Sequence, residues 1–472
     1  MFRRAKKYLT IQMLASFEPA KLKELSEKKA LKAFQKAASK VPAYRQFLKE
    51  HDVSASTIKT IEDFKKAVPL LDKDTTFKLY ADNIKKLCVE GEINNIHSIV
   101  SSSGHSGLFS YSLINKKEIV KSREAIDFML DYIFNVGEKK TLLINCLPMG
   151  VKIHSALVTI ADTSVRPDIV ISAIKTFASS YDQIILIGEN SFVKKCLEDG
   201  AEAGIEWKKI KMHIVLGEEI LPENLRTYFS CILGLNPDPT ESQSLIGSSL
   251  GVAELGLNIF YETKELIRIR RLMQRDRKFK EALIAADPDN LPSLMQYNPL
   301  RFFVEESPKE RGLSDIVLTN LQEEAVIPLV RYNIKDEGIC VSFRHLKDTL
   351  AAFGYSNYLP RVRLPLVAVW GRDKIMLEEG FALRPEFVKE LLYKEKDIAE
   401  NITGNFKLSN SKAGLRIEIQ TKKTTPLSEG LENQIRDLLI TNIPAKAEII
   451  IYPYRDFPHG MELSYEKKFQ YI

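Results

Sequence analysis

Apolar residues recur at helical spacing near the start of the chain. The segment from Pro19 to His51 contains no glycine, and its apolar positions follow one helix face: Leu22, Leu25, Ala30, Leu31, Phe34 and Ala37. The Val41–Pro42 step interrupts the pattern, because the residue before a proline is biased away from the helical conformation. The spacing therefore predicts a helical entry region in which one helix ends near this step and another begins.

Beyond about residue 140, short β-rich runs alternate with amphipathic stretches. The apolar runs are TLLINCL (141–147), DIVIS (168–172), QIILIG (183–188) and MHIVLG (212–217). The stretch SFVKKCLEDGAEAG lies before the last of these runs, and ENLRTYFSCIL follows it. Because strands that alternate with helical patterns form βαβ units, this order predicts a mainly parallel sheet flanked by helices.

Strand signals become denser after residue 313 and change again near residue 374. DIVLTNL, AVIPLVRY, GICVSF and PLVAVW are separated by turns or polar links, which predicts a strand-rich subdomain. The last part contains a helix (PEFVKELLYK), two strands (NFKLSN and GLRIEIQ), a second helix (LENQIRDLLI) and a final strand (AEIIIYP). This order predicts a small mobile α+β domain behind a hinge at Gly371–Lys374.

The predicted fold class is therefore α/β. A large N-terminal domain is expected over residues 1–373, with a helical entry region at 1–90, an α/β core at about 91–312 and the strand-rich subdomain at about 313–373. A small C-terminal α+β lid domain is expected over 374–472. The total of 472 residues agrees with two to three domains of about 150 residues each.

Composition excludes several classes of protein. With 44% hydrophobic and 28% charged residues, the chain is an ordinary globular one. The 68 Lys and Arg residues exceed the 62 Asp and Glu residues by only six and are dispersed, so no nucleic-acid partner is expected. Five cysteines without a CxxC pair favour a reducing cytoplasm. No signal peptide and no apolar stretch of roughly 18–20 residues is visible, so no membrane partner is expected.

One segment has the composition of a phosphate-binding loop. SSSGHSG (101–107) places four serines and two glycines after a short apolar lead. Backbone N–H groups and hydroxyls of such a loop can point at phosphate oxygens, since glycine permits a close approach. The GK[ST] triplet of a Walker loop is absent. Taken alone, the run fits an ordinary flexible surface loop as well as a phosphate cradle.

Three further segments combine charged residues with glycines: GSSLGVAELG (247–256), RYNIKDEG (331–338) and GRDKIMLEEGFALRP (371–385). Glu254 in the first is either a functional carboxylate or a solvated one. Arg331 and Asp336 in the second are equally compatible with an ion pair across a turn. Arg372 and Lys374 in the third suit a domain hinge or a solvated connection.

In this order and spacing, the segments resemble the core motifs of the adenylate-forming superfamily, particularly its branch of phenylacetate–coenzyme A ligases. SSSGHSG (101–107) resembles the phosphate loop of the superfamily, and LGVAE (250–254) resembles its YGxTE motif. Residues 331–336 resemble RYRTGD, and residues 371–375 resemble the GRxDD hinge. KVPAYRQFL (40–48), IVLGEEILPENLR (214–226) and the terminal KKFQYI also agree with this branch, so the resemblance covers almost the whole chain.

The resemblance implies an ATP- and magnesium-dependent acid–thiol ligase. A carboxylate would attack the α-phosphate of ATP, pyrophosphate would leave, and a thiol would capture the acyl-adenylate. Such chemistry depends on the positioning of charge more than on a protein nucleophile. The expected cofactors are ATP, Mg²⁺ and coenzyme A, and the expected substrate is an aromatic or other organic acid.

The resemblance also implies roles for individual residues. The β- and γ-phosphates would be cradled by Ser102, Ser103, Gly104, His105, Ser106 and Gly107. Glu254 would hold magnesium, Asp336 the ribose hydroxyls, and Arg372 the ribose or a phosphate. Lys374 would be the hinge, and Lys468 would bridge the substrate carboxylate and the α-phosphate until the small domain rotates. Further nucleotide contacts are expected at Gly217, Glu218, Gly251 and Ala253.

An acyl pocket is implied near Met149, His154 and Ser244. His154 fits a substrate-gating residue or a core or helix-start histidine, and the latter is the more common case. The identity of the acid depends on side chains whose spatial neighbours the sequence does not reveal.

Several positions depart from the family pattern, and these departures leave alternatives open. Leu108 and Phe109 replace Lys-Pro, Leu250 replaces an aromatic residue, and Ala253 replaces a phosphate-contacting threonine. Each lost contact costs on the order of 1–3 kcal/mol. These losses make a catalytically reduced binding protein one alternative. A second alternative is an acyl-adenylate former that loads a carrier protein or a protein cysteine. A homodimer is the common prior for oligomeric state.

Overall fold

The computed structural model describes residues 16–472 apart from 103, 105–106, 237–243, 310–311, 378–379, 412–413, 460–464 and 467–468. Within them the α-helices are α1 (Pro19–Lys40), α2 (Pro42–Glu50), α3 (Ile61–Ala67), α4 (Lys116–Phe134), α5 (Pro167–Phe177), α6 (Asn190–Glu202), α7 (Glu223–Leu233), α8 (Lys264–Arg275), α9 (Arg277–Leu283), α10 (Phe343–Ala352), α11 (Pro385–Leu392), α12 (Lys396–Asn401) and α13 (Glu429–Asn442). No helix of this described part has the length and apolar character that a membrane span requires.

The strands of the described residues are β1 (Ile96–Ser101), β2 (Tyr111–Asn115), β3 (Thr141–Asn145), β4 (Thr159–Asp162), β5 (Gln183–Gly188), β6 (Met212–Leu216), β7 (Ile246–Val252), β8 (Gly256–Tyr261), β9 (Ser293–Tyr297), β10 (Phe302–Pro308), β11 (Ser314–Asn320), β12 (Tyr332–Val341), β13 (Leu366–Trp370), β14 (Ile375–Met376), β15 (Ala382–Leu383), β16 (Ile402–Ser411), β17 (Gly414–Thr421) and β18 (Ala447–Tyr452). They form one large sheet, a three-stranded sheet and two separate strand pairs.

Two helices occupy most of residues 19–50, where the apolar spacing predicts them. α1 ends at Lys40 and α2 begins at Pro42, while Val41 between them is extended. Proline suits the first position of a helix, where its missing N–H has no intrahelical partner. One face of α1, which includes Ala30, Phe34 and Ala37, is fully buried against the antiparallel part of the large sheet and its loops.

The large sheet has eleven strands in the order β10-β11-β12-β13-β9-β8-β7-β6-β5-β3-β4. The strands from β7 to β4 are parallel, and those from β10 to β7 are antiparallel. β3, β5 and β6 are mostly buried, as expected for parallel strands with helices on both faces. The α/β class is thereby confirmed, and the strand-rich region continues the parallel region through the shared strand β7.

Two local predictions are wrong. DIVIS (168–172) lies in α5 and not in a strand, because Pro167 starts a helix that buries Val170 and Ile174 one turn apart. In AVIPLVRY, residues 325–331 form no strand, and β12 starts only at Tyr332. Arg331 has a left-handed backbone conformation with φ of 49°, and its N–H donates to the Thr319 hydroxyl, so a regular ladder cannot begin before it.

The last part of the chain forms its own small sheet with its own apolar core. β16 and β17 are antiparallel, whereas β17 and β18 are parallel and are connected through α13. Buried residues of these elements, including Phe406, Ile417 and Ile435, pack together. A small C-terminal α+β domain is therefore present, and its expected boundary at residue 374 stays a prediction.

This C-terminal part contacts the large domain through α11. The Glu390 carboxylate accepts hydrogen bonds from the backbone N–H groups of Glu223 (2.6 Å) and Asn224 (2.8 Å), in the first turn of α7. The neighbouring Lys389 Nζ lies 2.5 Å from the Glu219 carboxylate, and both side chains are 5% exposed. Because helix N-termini attract anions, Glu390 completes a helix cap across the two parts of the molecule.

Candidate active site

The serine- and glycine-rich segment forms the loop between the antiparallel strands β1 and β2. The stem of the loop is closed by two hydrogen bonds, in which Ser102 N donates to Ser110 O and Ser110 N donates to the Ser102 hydroxyl, each at 2.9 Å. Gly104 has φ of 65°, and a Cβ atom there would lie 2.6 Å from the Phe109 ring. The loop therefore requires glycine at this position. Ser103, His105 and Ser106 lie outside the described residues.

Gly107 also lies in this loop with a left-handed conformation, at φ of 75°. Its N–H donates to the carbonyl oxygen of Gly104 at 2.8 Å, which closes a tight turn. An added Cβ atom at Gly107 would meet nothing within 4 Å, so this glycine is required by its backbone angle and not by crowding.

Glu254 lies in the turn between β7 and β8 and is brought directly to this loop. The Ser110 hydroxyl donates to Glu254 Oε2 at 2.9 Å, and the Tyr332 hydroxyl donates to Oε1 at 2.5 Å. Ser110 and Tyr332 are fully buried, and Glu254 is 5% exposed. Burial and the adjacent carboxylate raise the pKa of Tyr332, so it stays a phenol and remains a donor.

The glycines around Glu254 allow the tight turn. Leu255 N donates to Val252 O at 2.8 Å, and Gly256 has φ of 109°. A Cβ atom on Gly251 would lie 3.0 Å from the Gly256 carbonyl oxygen, so the two strands approach closely at a register shift. Ala253 lies in the same turn and is partly buried.

Gly217 and Glu218 follow β6 at the edge of the sheet where the parallel strands end. Gly217 N donates to Gly188 O at the end of β5 at 3.1 Å. A Cβ atom on Gly217 would be 3.6 Å from Ser249 O on β7. Glu218 has a left-handed backbone conformation with φ of 69°. Gly217 and Glu218 therefore lie at the same edge of the sheet as Glu254, because β6 and β7 are parallel and Glu254 follows the end of β7.

Asp336 lies on β12, four residues beyond Tyr332. Its Oδ1 is 3.3 Å from Arg372 Nε, and the side chains are 17% and 54% exposed. The structure therefore brings Asp336 and Arg372 together as a partly exposed pair, 36 positions apart in the chain. A carboxylate in this setting is accessible to hydroxyl donors of a ligand.

Lys374, the predicted hinge residue, is held by the next residue of β12. Its Nζ donates to Glu337 Oε1 at 2.6 Å, and Arg384 donates to Oε2 at 2.6 Å. Burial raises the pKa of Glu337, but the hydrogen bonds of Lys374 and Arg384 outweigh this effect and hold it below its usual value. Glu337 therefore connects the proposed hinge with β15 and the start of α11.

The three predicted acyl-pocket residues do not lie together. Met149 follows the end of β3, and its N–H donates to Glu466 of the C-terminal part at 2.8 Å. His154 lies in the same connection and is exposed. Ser244 is 4% exposed and precedes β7, at the edge where the parallel strands start. Ser244 and Met149 therefore lie at opposite ends of the parallel strands, and their place in one acyl pocket stays a prediction.

The donor set around Glu254 fits one mode of magnesium binding. Among the described residues, no group of three or more His, Cys, Asp or Glu side chains is arranged to hold a metal ion. Magnesium is commonly held by one or two carboxylates together with substrate phosphates and water. Glu254 beside the loop suits this mode, since each carboxylate oxygen has a lone pair left after accepting one hydroxyl hydrogen bond.

Sequence reasoning did not identify Ser110 and Tyr332. Both lie within or beside the recognised motifs, Ser110 three residues after Gly107 and Tyr332 directly after Arg331. Arg331 itself is a structural residue, with its guanidinium 3.2 Å from Glu305 and hydrogen-bonded to carbonyl groups of α3. Lys468, the predicted catalytic lysine, lies outside the described residues.

Comparison with known proteins identifies the fold. No family model and no curated protein sequence matches the chain. Solved structures do match: 2-hydroxyisobutyryl-CoA ligase in the postadenylation state, in complex with R3-HIB-AMP, has a TM-score of 0.67 and 12% identity over 94% of this chain and 88% of that one. This chain has the fold of that CoA ligase.

Other states of the same ligase match with lower scores. In complex with 2-HIB-AMP and CoA in the thioesterification state, it has a TM-score of 0.58 and 11% identity, over 96% of this chain and 90% of that one. In an open conformation it has a TM-score of 0.55 and 12% identity, over 91% and 88%. The three likenesses, at 11–12% identity, show the same fold.

Proposed function

We propose that the chain activates an organic carboxylic acid with ATP and transfers the acyl group to a thiol, most simply coenzyme A. A carboxylate oxygen of the acid attacks the α-phosphorus, and the bond to pyrophosphate breaks. The thiol sulfur then attacks the acyl carbon, AMP leaves, and the thiol proton is released. The ligases with this fold were solved with acyl-AMP compounds and CoA, which supports the proposal.

The observation that carries the proposal is the convergence of three distant segments. Ser110 of the loop and Tyr332 of β12 each contact Glu254 of the β7–β8 turn, although 144 and 78 positions separate them from it. Asp336 lies on β12 and forms an ion pair with Arg372, which follows the end of β13. A polar loop, a buried carboxylate and an accessible carboxylate four residues along the strand from Tyr332 suit an ATP molecule.

The residue roles follow from the chemistry of each group. Asp336 would accept hydrogen bonds from the ribose hydroxyls, because a carboxylate is a pure acceptor. Gly104 and Gly107 would let loop amides approach the β- and γ-phosphates. Glu254 would hold magnesium, which would neutralise charge on the phosphates. Lys468 would supply the mobile cation between the acid and the α-phosphate, and an aromatic acid in the phenylacetate–coenzyme A ligase branch stays the preferred substrate class.

The test is pyrophosphate release from ATP and magnesium, with hydroxylamine as the trap, across a panel of aryl, fatty and amino acids. Asp336→Ala is expected to abolish acid-dependent release by removing the ribose acceptor. Asp348→Ala provides the matched control, because Asp348 is a 66% exposed carboxylate on α10. Release that persists in Asp336→Ala would contradict its role. The absence of pyrophosphate release by the unmodified chain with every acid of the panel would contradict adenylation itself.

The identity of the thiol needs a separate experiment. Competition between coenzyme A and a phosphopantetheinylated carrier protein for the trapped acyl-adenylate measures the preference directly. Preferred acylation of coenzyme A is expected from the resemblance. Preferred acylation of the carrier protein would replace coenzyme A in the proposal and leave the adenylation step intact.

One observation favours a second candidate, a binding protein without turnover. Leu108 and Phe109 stand at the Lys-Pro positions of related loops, and the Phe109 ring packs directly on Gly104 and is 52% exposed. An apolar ring at this place offers no donor to a phosphate. Titration calorimetry that finds tight ATP binding without pyrophosphate release under any acid would favour this candidate over the ligase.

A further inference from the structure

Three buried side chains from distant segments form one hydrogen-bonded unit, which we call the hydroxyl–carboxylate cluster: Ser110, Glu254 and Tyr332. Each Glu254 oxygen accepts one hydroxyl hydrogen bond, at 2.9 Å from Ser110 and 2.5 Å from Tyr332. The described structure therefore holds this buried carboxylate with neutral donors. Neutral donors satisfy the oxygens but leave the negative charge available to a cation.

Both donors are fixed by backbone contacts of their own. Ser110 belongs to the closed stem of the loop, where it exchanges two hydrogen bonds with Ser102. Tyr332 starts β12, and the residues on either side of it pair with Leu71, through Leu71 N to Arg331 O at 2.9 Å and Asn333 N to Leu71 O at 2.7 Å. The orientation of the Glu254 carboxylate is thus set by two separate backbone segments, the stem of the loop and the start of β12.

We propose that Ser110 and Tyr332 are positioning residues, whose hydroxyls orient the Glu254 carboxylate toward a divalent cation carried on the β- and γ-phosphates of ATP. Ser110 additionally couples this orientation to the loop. The inference rests on the proposed function, since it assigns the nucleotide's metal-bound end to this cluster. It predicts that the loss of either hydroxyl weakens binding of magnesium–ATP but not of AMP, which lacks those phosphates.

The first experiment measures two affinities by titration calorimetry. One is the affinity for magnesium–ATP, and the other is the affinity for AMP in a buffer that contains EDTA. Ser110→Ala and Tyr332→Phe are each expected to weaken magnesium–ATP binding by about tenfold, the usual effect of one lost hydrogen bond to a charged group. AMP affinity is expected to stay unchanged in both. A merely structural loss would weaken both ligands together.

Matched controls exist for each substitution. Ser112→Ala removes a hydroxyl of β2, two residues after Ser110 and outside the cluster. Tyr44→Phe removes a buried phenol hydroxyl that has no hydrogen-bond partner within the described structure. Both controls are expected to bind magnesium–ATP and AMP as the unmodified chain does.

A second readout needs no nucleotide. Because Ser110 couples Glu254 to the loop, amide hydrogen exchange in peptides covering 96–115 is expected to be faster in Ser110→Ala by about tenfold, and unchanged in Ser112→Ala. Exchange that is equal in the two variants would overturn the coupling to the loop.

The outcomes separate the two proposals. If the unmodified chain binds AMP and magnesium–ATP, but both cluster variants match their controls, the positioning role is overturned and the proposed function stands. If magnesium–ATP and AMP weaken equally, the residues are structural and the inference fails. If the unmodified chain binds neither nucleotide, the proposed function fails, and the assignment of a metal-bound phosphate to the cluster fails with it.

Discussion

Glu223 and Glu254 are both buried carboxylates, but they have opposite surroundings. Glu223 is 1% exposed and is bound by Arg226, Arg270 and Arg271 at 2.9–3.1 Å. Burial raises its pKa, but the three arginines outweigh burial and lower it to about 2. Among the described residues, Glu254 is held by two hydroxyls.

This difference teaches which carboxylate is available for chemistry. The charge of Glu223 is compensated within the protein, and its place between α7 and α8, beside the cap provided by Glu390, makes it a part of the framework. Glu254 has hydrogen bonds but no cation partner at comparable distance among the described residues. Binding of a cation would therefore stabilise the buried charge of Glu254, which has no compensating charge in the described structure.

The largest effect is expected from breaking the compensated site. Glu223→Ala leaves buried arginines without their acceptor and is expected to lower the free energy of unfolding by about 3–5 kcal/mol. Urea denaturation followed by circular dichroism measures it. Glu281→Ala is the control, because its partner Arg277 is solvent exposed and the unfolding midpoint should not move. A Glu223→Ala variant as stable as this control would refute the framework role.

A half-buried carboxylate extends the comparison, because among the described residues it is bound by neither an arginine nor a hydroxyl. Glu118 accepts from the backbone N–H of Asn115 at the start of α4, and burial raises its pKa to about 7. Between its ordinary pKa and about 7 the folded state binds more protons than the unfolded state, so stability falls as pH rises through this window.

Glu118→Gln should remove that pH dependence. The unmodified chain is expected to lose about 1–3 kcal/mol of unfolding free energy between pH values of about 4.5 and 7 through this group, and the variant is expected to lose less. Urea denaturation at a series of pH values checks the difference, with Glu62→Gln on the surface of α3 as the control. Parallel profiles of all three proteins would contradict the assignment.

The smallest effect on stability is expected at the candidate site itself. Glu254→Gln keeps hydrogen-bond partners for Ser110 and Tyr332, because a hydroxyl can both donate and accept, and is expected to cost about 1 kcal/mol or less. The same variant should lose magnesium–ATP binding in calorimetry while it keeps AMP binding. A stability loss as large as that of Glu223→Ala would show that the two carboxylates do not differ in role.

Local sequence patterns predicted most elements because those elements are decided by short-range periodicity. QIILIG coincides with β5 at residues 183–188, and the proline at residue 42 starts α2. The segment 168–172 was predicted as a strand since β-branched residues favour strands, but the proline before it and the burial of Val170 and Ile174 on one face stabilise a helix. Which residues are buried depends on the tertiary structure, so the sequence of segment 168–172 alone does not reveal it.

The candidate site was predicted in part, for a similar reason. Glycines and carboxylates in short motifs pointed to the loop, Glu254, Asp336 and Arg372, and the structure brings Glu254 to Ser110 and Asp336 to Arg372. The sequence does not show at which end of β7 Ser244 lies relative to the end of β3, so its place in the acyl pocket stays a prediction. Ser110 and Tyr332 were missed because a serine and a tyrosine become functional only through the carboxylate that they contact.

The sequence by itself determined the α/β class, most of the strands and helices, and the residue types that nucleotide chemistry needs, since these depend on periodicity and on side-chain chemistry. Only the tertiary structure decided which carboxylate is compensated and which is not. Glu223 and Glu254 are the same residue type, but the side chains that contact them lie 3 to 144 positions away in the chain. Their difference arises from packing, because packing alone determines which donors surround a buried charge.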